Sequence, residues 1–106
     1  MSRLRPVHPG DVLKHDFLQP LGLSAYRLAR ELRVTPVRIN DIVRRRRAVT
    51  ADTALRLGAY FGTAPQFWLN LQASHDLEVA GRKSSRVLSG IRTRAAAVAG
   101  RSTATR

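Results

Sequence analysis

Ser24-Ala-Tyr-Arg-Leu-Ala-Arg-Glu-Leu-Arg-Val-Thr-Pro-Val-Arg-Ile-Asn-Asp-Ile-Val-Arg44 is the stretch that decides the architecture. Ser24 suits a helix N-cap, because its hydroxyl can accept an N–H that the first turn leaves unpaired. Leu28, Ala29 and Leu32 then recur at helical spacing, which predicts a helix over Ala25–Leu32. Thr35-Pro36 repeats the signal, with a capping hydroxyl followed by a proline at the first helical position, where its missing N–H costs nothing. The helix it opens is expected over Pro36–Arg44. Only Arg33 and Val34, with the Thr35 cap, separate the two helices, which is the short connection of a helix-turn-helix. Where the helices touch, the residues must be small or apolar. Leu28, Ala29, Leu32, Val34, Ile39 and Ile42 meet that need, and a side chain larger than Ala29 would part the helices. Arg33 stands where glycine is common, since such a turn often needs a positive φ.

Working outward, Pro9-Gly10-Asp11 opens a segment over Asp11–Leu18, closed by Pro20 and Gly22. Thr50 caps a helix over Ala51–Phe61, ended by Gly62. Thr63-Ala-Pro-Gln66 has the form of a capping box and opens a helix over Ala64–Glu78. The chain shows neither an alternating β-type run of useful length nor an internal repeat. The expected fold is all-α, with five helices in a domain over 1–79.

The chain has 106 residues and a net charge of +12, so its first expected partner is a polyanion. All seven acidic residues lie before position 79, against twelve basic ones there. Positions 80–106 carry seven basic residues and no acid, and are rich in Gly, Ser and Thr. They read as a flexible basic tail with a short helix near Val87–Ala99. The tail holds no aromatic to stack on a base, so it suits non-specific phosphate affinity better than RNA recognition. Without cysteine there is neither a disulfide scaffold nor a thiolate site. No apolar run approaches the roughly 18 residues of a membrane span. Met1-Ser-Arg-Leu-Arg-Pro6 lacks the apolar stretch of a signal peptide, so a cytoplasmic protein without membrane partners is expected.

An enzyme is disfavoured. His8, His15 and His75 make no ligand motif, and the adjacent pairs His15-Asp16 and His75-Asp76 point in different directions on a helix. Neither a nucleophile elbow nor a phosphate-cradling glycine loop is present. No catalytic residue, metal or cofactor is therefore expected, and His8 is assigned to fixing the start of the first helix.

The face of Pro36–Arg44 opposite Ile39 and Ile42 carries Pro36, Val37, Arg38, Asn40, Asp41 and Arg44. In a helix-turn-helix the N-terminal part of this helix enters the major groove. Arg38 and Arg44 can donate to guanine, Asn40 can pair with adenine, and Val37 can touch a thymine methyl. Ser24 and Thr35, at helix N-termini, can present backbone N–H groups to phosphates. Arg44, Arg45, Arg46 and Arg47 would supply charge beside the groove. A lone arginine run is more often a solvated helix end matching the helix dipole. Joined to a helix-turn-helix in a basic chain, it points to double-stranded DNA.

Phe67, Trp68, Leu69 and Leu71 form an apolar stripe in the last helix, with Phe67 and Leu71 expected inward. Trp68 or Leu69 is then assigned to a homodimer interface, since palindromic operators suit two-fold proteins. Tyr60 and Phe61 are expected in the core.

His8-Pro-Gly-Asp-Val-Leu13 and Phe17-Leu-Gln-Pro-Leu-Gly-Leu-Ser24 resemble the opening of HigA-type antitoxins, a branch of the Xre/Cro-like helix-turn-helix regulators. Ile42-Val-Arg-Arg-Arg-Arg-Ala-Val-Thr50, Ala54-Leu-Arg-Leu57 and Phe61-Gly-Thr-Ala-Pro-Gln-Phe-Trp-Leu-Asn-Leu-Gln72 resemble the rest, so the likeness covers about residues 7–79. It implies a lambda-repressor-like fold and an antitoxin that binds a RelE-like mRNA-cleaving toxin. It also implies a protein, usually dimeric, that represses its own operon by binding an operator. The departures are Arg33, the arginine-rich stretch before the fourth helix and the basic tail. Because RelE-like toxins are usually basic too, a toxin contact must rest on apolar surface or on acids such as Asp11, Asp16, Asp76 and Glu78. A stand-alone Xre-family regulator without a toxin is the alternative.

Overall fold

A computed structural model describes residues 6–94 of the chain. His8 caps the first helical segment reciprocally: its ring Nδ1 accepts the N–H of Gly10 (2.9 Å), and its own N–H donates to Asp11 Oδ2 (2.9 Å). The segment begins two residues before the expected start and runs as α1 (Pro9–Val12), a π-helical stretch (Leu13–Leu18) and α2 (Gln19–Leu21). Pro20 lies inside it rather than closing it. Its ring has no N–H to give the Asp16 carbonyl and would strike that carbonyl in a regular α-helix, so the preceding turn widens. Gly22, at φ 61°, ends the segment.

The helix-turn-helix follows as α3 (Ala25–Leu32) and α4 (Pro36–Val43). Ser24 Oγ accepts the N–H of Arg27 (3.0 Å) and Thr35 Oγ1 that of Arg38 (3.3 Å), so both predicted caps are made. Arg33 adopts φ 61°, the left-handed turn that glycine would make without strain. The turn closes when the Val34 N–H reaches the Ala29 carbonyl at 3.0 Å. Leu28, Ala29, Ile39 and Ile42 are fully enclosed, with Leu32 nearly so and Val34 packed against them.

Three helices complete the described residues: α5 (Ala51–Phe61), α6 (Pro65–Lys83) and α7 (Ser85–Ser89). No strand occurs among them. Thr50 occupies the N-cap position of α5, but its hydroxyl meets Thr53 Oγ1 at 3.5 Å rather than a backbone N–H. The core is closed by Trp68, which is wholly buried and lies 5.1 Å, ring to ring, from Phe17.

Trp68 overturns three expectations. Its indole N–H donates to Thr63 Oγ1 at 2.8 Å, and this bond lets the largest side chain be buried without an unpaired polar group. Thr63 is therefore not a capping residue, and the N-cap of α6 is Ala64, which offers no side-chain bond. Trp68 has no surface left for a dimer contact. Phe67, expected inward, is instead 39% exposed, while Leu69 and Leu71 are half-buried. Tyr60 is exposed as well, and Phe61 half-buried.

The expected boundary at Val79 falls inside α6, which continues to Lys83 with Arg82 and Lys83 in its last turn, where cations suit the exposed carbonyls. The helix expected near Val87–Ala99 coincides with α7 only at its start. Residues 95–106 of the basic tail lie outside the described residues.

Candidate nucleic-acid interface

The apolar spacing of α4 turns Ile39 and Ile42 into the core and leaves Val37, Asn40 and Arg44 on the opposite side. These positions follow i, i+3, i+7 spacing, so they form one outward stripe. Val37 is 60% exposed at the N-terminal end of the helix, beside the half-buried Pro36. Asp41 borders the stripe, and its carboxylate lies 3.7 Å from Arg47. Ser24 and Thr35 stand exposed at the N-termini of α3 and α4, so both helix ends open outward.

Arg38 does not stand freely on that face. Its Nη1 donates to Asp52 Oδ2 (2.7 Å) and to Thr53 Oγ1 (3.3 Å), both in the first turn of α5. Asp52 in turn accepts from Arg56 Nε (3.0 Å), and Arg56 Nη1 caps the end of α3 at the Leu32 carbonyl (2.7 Å). One chain of bonds thus links α3, α5 and α4. The bonds from Arg38, and then from Arg56, hold the exposed Asp52 carboxyl below the usual carboxylate range. Arg38, Arg47, Ala48, Thr50, Asp52 and Thr53 line a cleft of about 350 Å³ beside α4.

The arginine run is divided by its backbone. α4 ends at Val43, Arg44 is its C-cap, and Arg45 adopts φ 66°. This left-handed turn carries the Arg45 side chain back to α1, where Nη1 meets Asp11 Oδ2 and Nη2 donates to the Pro6 carbonyl (2.9 Å). Only a fifth of that side chain is exposed. Arg45 therefore leaves the set expected beside the groove, and Arg44, Arg46 and Arg47 remain exposed.

Around this tie the charges are strongly conditioned. Burial works against ionisation of Asp11, but the His8 N–H and the Arg45 guanidinium outweigh it and lower the carboxyl below its ordinary range. His8 is lowered as well, first by burial and then by His75 and Arg45. Its ring meets that of His75 edge-on, with centroids 4.8 Å apart. Gln72 braces the chain beyond the arginines: its Oε1 accepts the Val49 N–H (2.7 Å) and its Nε2 donates to Asp76 (2.9 Å). Sequence reasoning missed Asp52, Arg56 and Gln72. The Asp52/Arg56 spacing of four was a visible signal for that pair, whereas nothing in the sequence ties Gln72 to Val49.

Among the described residues, no group of three His, Cys, Asp or Glu side chains could hold a metal ion. No helix among them is long and apolar enough to cross a membrane.

Two short helices at a tight turn, the second presenting a polar stripe beside exposed arginines, define a helix-turn-helix protein. The helix-turn-helix family matches residues 15–68. Over 79 residues the chain is 52% identical to virulence-associated protein I of Dichelobacter nodosus, covering 74% of this chain and 73% of that one. It is 36% identical over 76 residues to antitoxin HigA-1 of Vibrio cholerae, covering 72% and 71%. A solved structure of the Pseudomonas aeruginosa antitoxin HigA with the higBA promoter is similar at a TM-score of 0.82 and 42% identity, over 85% of this chain and 99% of that one. The chain belongs to the helix-turn-helix family, in its Xre-type branch, and HigA antitoxins are among its structural neighbours.

Proposed function

We propose that this protein is an antitoxin that represses its own operon by binding operator DNA and holds a RelE-like mRNA-cleaving toxin inactive. The observation that carries the DNA half is the outward stripe of Val37, Asn40 and Arg44 on α4. In the major groove, Asn40 pairs with adenine, Val37 meets a thymine methyl and Arg44 donates to guanine or phosphate. Arg46 and Arg47 add phosphate affinity, and the N–H groups at the starts of α3 and α4, behind Ser24 and Thr35, receive phosphates. The protein works by stoichiometric occupancy, without turnover and without a cofactor. A two-fold pairing of two copies matches a palindromic operator, and Leu69 remains the interface residue assigned on α6.

The toxin half is supported by the likeness to HigA antitoxins. Of the acids offered to a basic toxin, Asp11 is engaged by Arg45, Asp76 by Gln72 and Glu78 by Arg82. Asp16 is exposed on the π-helical stretch.

The test is co-purification of the untagged product of the neighbouring gene with the tagged full chain, followed by a mobility shift on the DNA upstream of the chain's own gene. A stoichiometric partner and a sequence-specific shift are expected. A specific shift without a partner would replace the proposal with a stand-alone regulator.

A further inference from the structure

We propose that Asp52 is a specificity-determining positioning residue: from the first turn of α5 it orients the Arg38 guanidinium for one base pair. The inference deepens the proposed DNA-binding function and rests on it. An arginine side chain on a free helix surface samples many rotamers, and fixing it at the moment of binding costs affinity. Here that ordering precedes any contact with DNA. Nη1 is committed to Asp52 Oδ2 at 2.7 Å and to Thr53 Oγ1 at 3.3 Å. Nη2 and Nε, the other donors of the planar fork, have no partner among the described residues. A guanidinium held along one side and open on another suits the paired O6 and N7 acceptors of a guanine.

The holder is itself held. Asp52 receives Arg56 Nε at 3.0 Å, and Arg56 is anchored on the Leu32 carbonyl at 2.7 Å. Thr53, the second acceptor, is 2% exposed and packed inside the domain. Arg38 is thus fixed relative to the turn that aims α4, which is the arrangement a readout residue needs. A carboxylate beside the proposed DNA-binding face opposes phosphate binding, so affinity for DNA does not call for it. Its bonds to Arg38 and Arg56 tie the helices together and, in the same geometry, set the direction of the Arg38 donors.

The test starts from a library of duplexes randomised across two successive major grooves, selected with the full chain to define its preferred site. Binding of the wild type, Asp52→Asn, Asp52→Glu, Arg38→Ala and the Arg38→Ala/Asp52→Asn double variant is then measured on that site and on each single-base variant, over a range of salt. Asp52→Asn is expected to lower discrimination roughly tenfold at one base pair, the same one at which Arg38→Ala loses it. The double variant should be no less selective there than Arg38→Ala alone, and Asp52→Glu should recover part of the preference. If Asp52→Asn changes affinity for every duplex equally and leaves discrimination intact, Asp52 is only a repelling charge (affinity raised) or only a structural tie (affinity lowered), and the inference is overturned. If Arg38→Ala keeps every base preference, Arg38 reads no base and the inference also falls, while DNA binding by the chain stands. If the wild type selects no sequence at all, the proposed function itself fails and takes this inference with it.

Discussion

The Arg45 guanidinium closes on the carboxylate of Asp11, 34 positions away, and ties the chain leaving α4 to the start of α1. Gly10 makes the approach possible, since a Cβ there would lie 1.8 Å from the Ile42 carbonyl oxygen. The tie holds the end of α4 in place while leaving the outward stripe untouched. Arg45→Ala should therefore lower the unfolding free energy by about 1–2 kcal/mol in urea titrations and keep the base preferences of the wild type. Arg44→Ala should do the reverse, with little effect on stability and weaker, less salt-sensitive DNA binding.

The same cluster sets a dependence on pH. Asp11 is lowered from 3.8, so its contribution to stability is complete above that value and is lost as pH falls through the lower folded pKa. His8 is lowered from 6.5, so the unfolded chain takes up its proton first and stability begins to fall below that pH. Urea titrations from pH 8 to pH 3 should show two declines (roughly below 6.5 and below 4). His8→Asn should remove the upper decline, and Asp11→Asn should shrink the lower one to the share that the lowered Asp52 carboxyl still contributes.

Arg33 and Arg45 share a left-handed backbone, at φ 61° and 66°, yet glycine should affect them oppositely. At Arg33 glycine relieves strain and outweighs the added freedom of the unfolded chain, for a gain of roughly 0.5–1 kcal/mol. At Arg45 the same relief comes with loss of the Asp11 and Pro6 contacts, so the net effect is destabilising. Thermal melts of Arg33→Gly and Arg45→Gly should shift in opposite directions.

Trp68 is the chain's one tryptophan and is wholly buried, so its fluorescence reports the core directly. Thr63→Val strands the indole N–H and should cost about 1–3 kcal/mol, whereas Thr63→Ser keeps an acceptor and should cost less. Emission should move to longer wavelength as the chain unfolds, at a lower urea concentration for Thr63→Val than for Thr63→Ser.

Much of this protein could be read along the chain. The Ser24 and Thr35 caps, the Leu28/Ala29 and Ile39/Ile42 contacts and the outward placement of Val37, Asn40 and Arg44 follow from hydroxyls before helices and from helical spacing. Both are local, since a cap reaches about three residues and a helical face repeats every three or four. The reading failed where a side chain answers to a distant partner. Trp68 was placed outside because the stripe Phe67–Leu71 is apolar nearly all round, and its burial rests on distant partners, the Phe17 ring and the Thr63 hydroxyl that accepts the indole N–H.

The amino-acid sequence by itself determined α3, α4 and α5, the turn between α3 and α4 and the exposed stripe of α4. Tertiary structure decided the direction of the arginines that bond beyond their own helix. Arg38 turns to Asp52, Arg45 to Asp11, Arg56 to Leu32, and Arg44 and Arg46 outward to solvent. A long, flexible cation carries no preferred direction of its own, so the carboxylates and carbonyls brought beside it by packing choose for it.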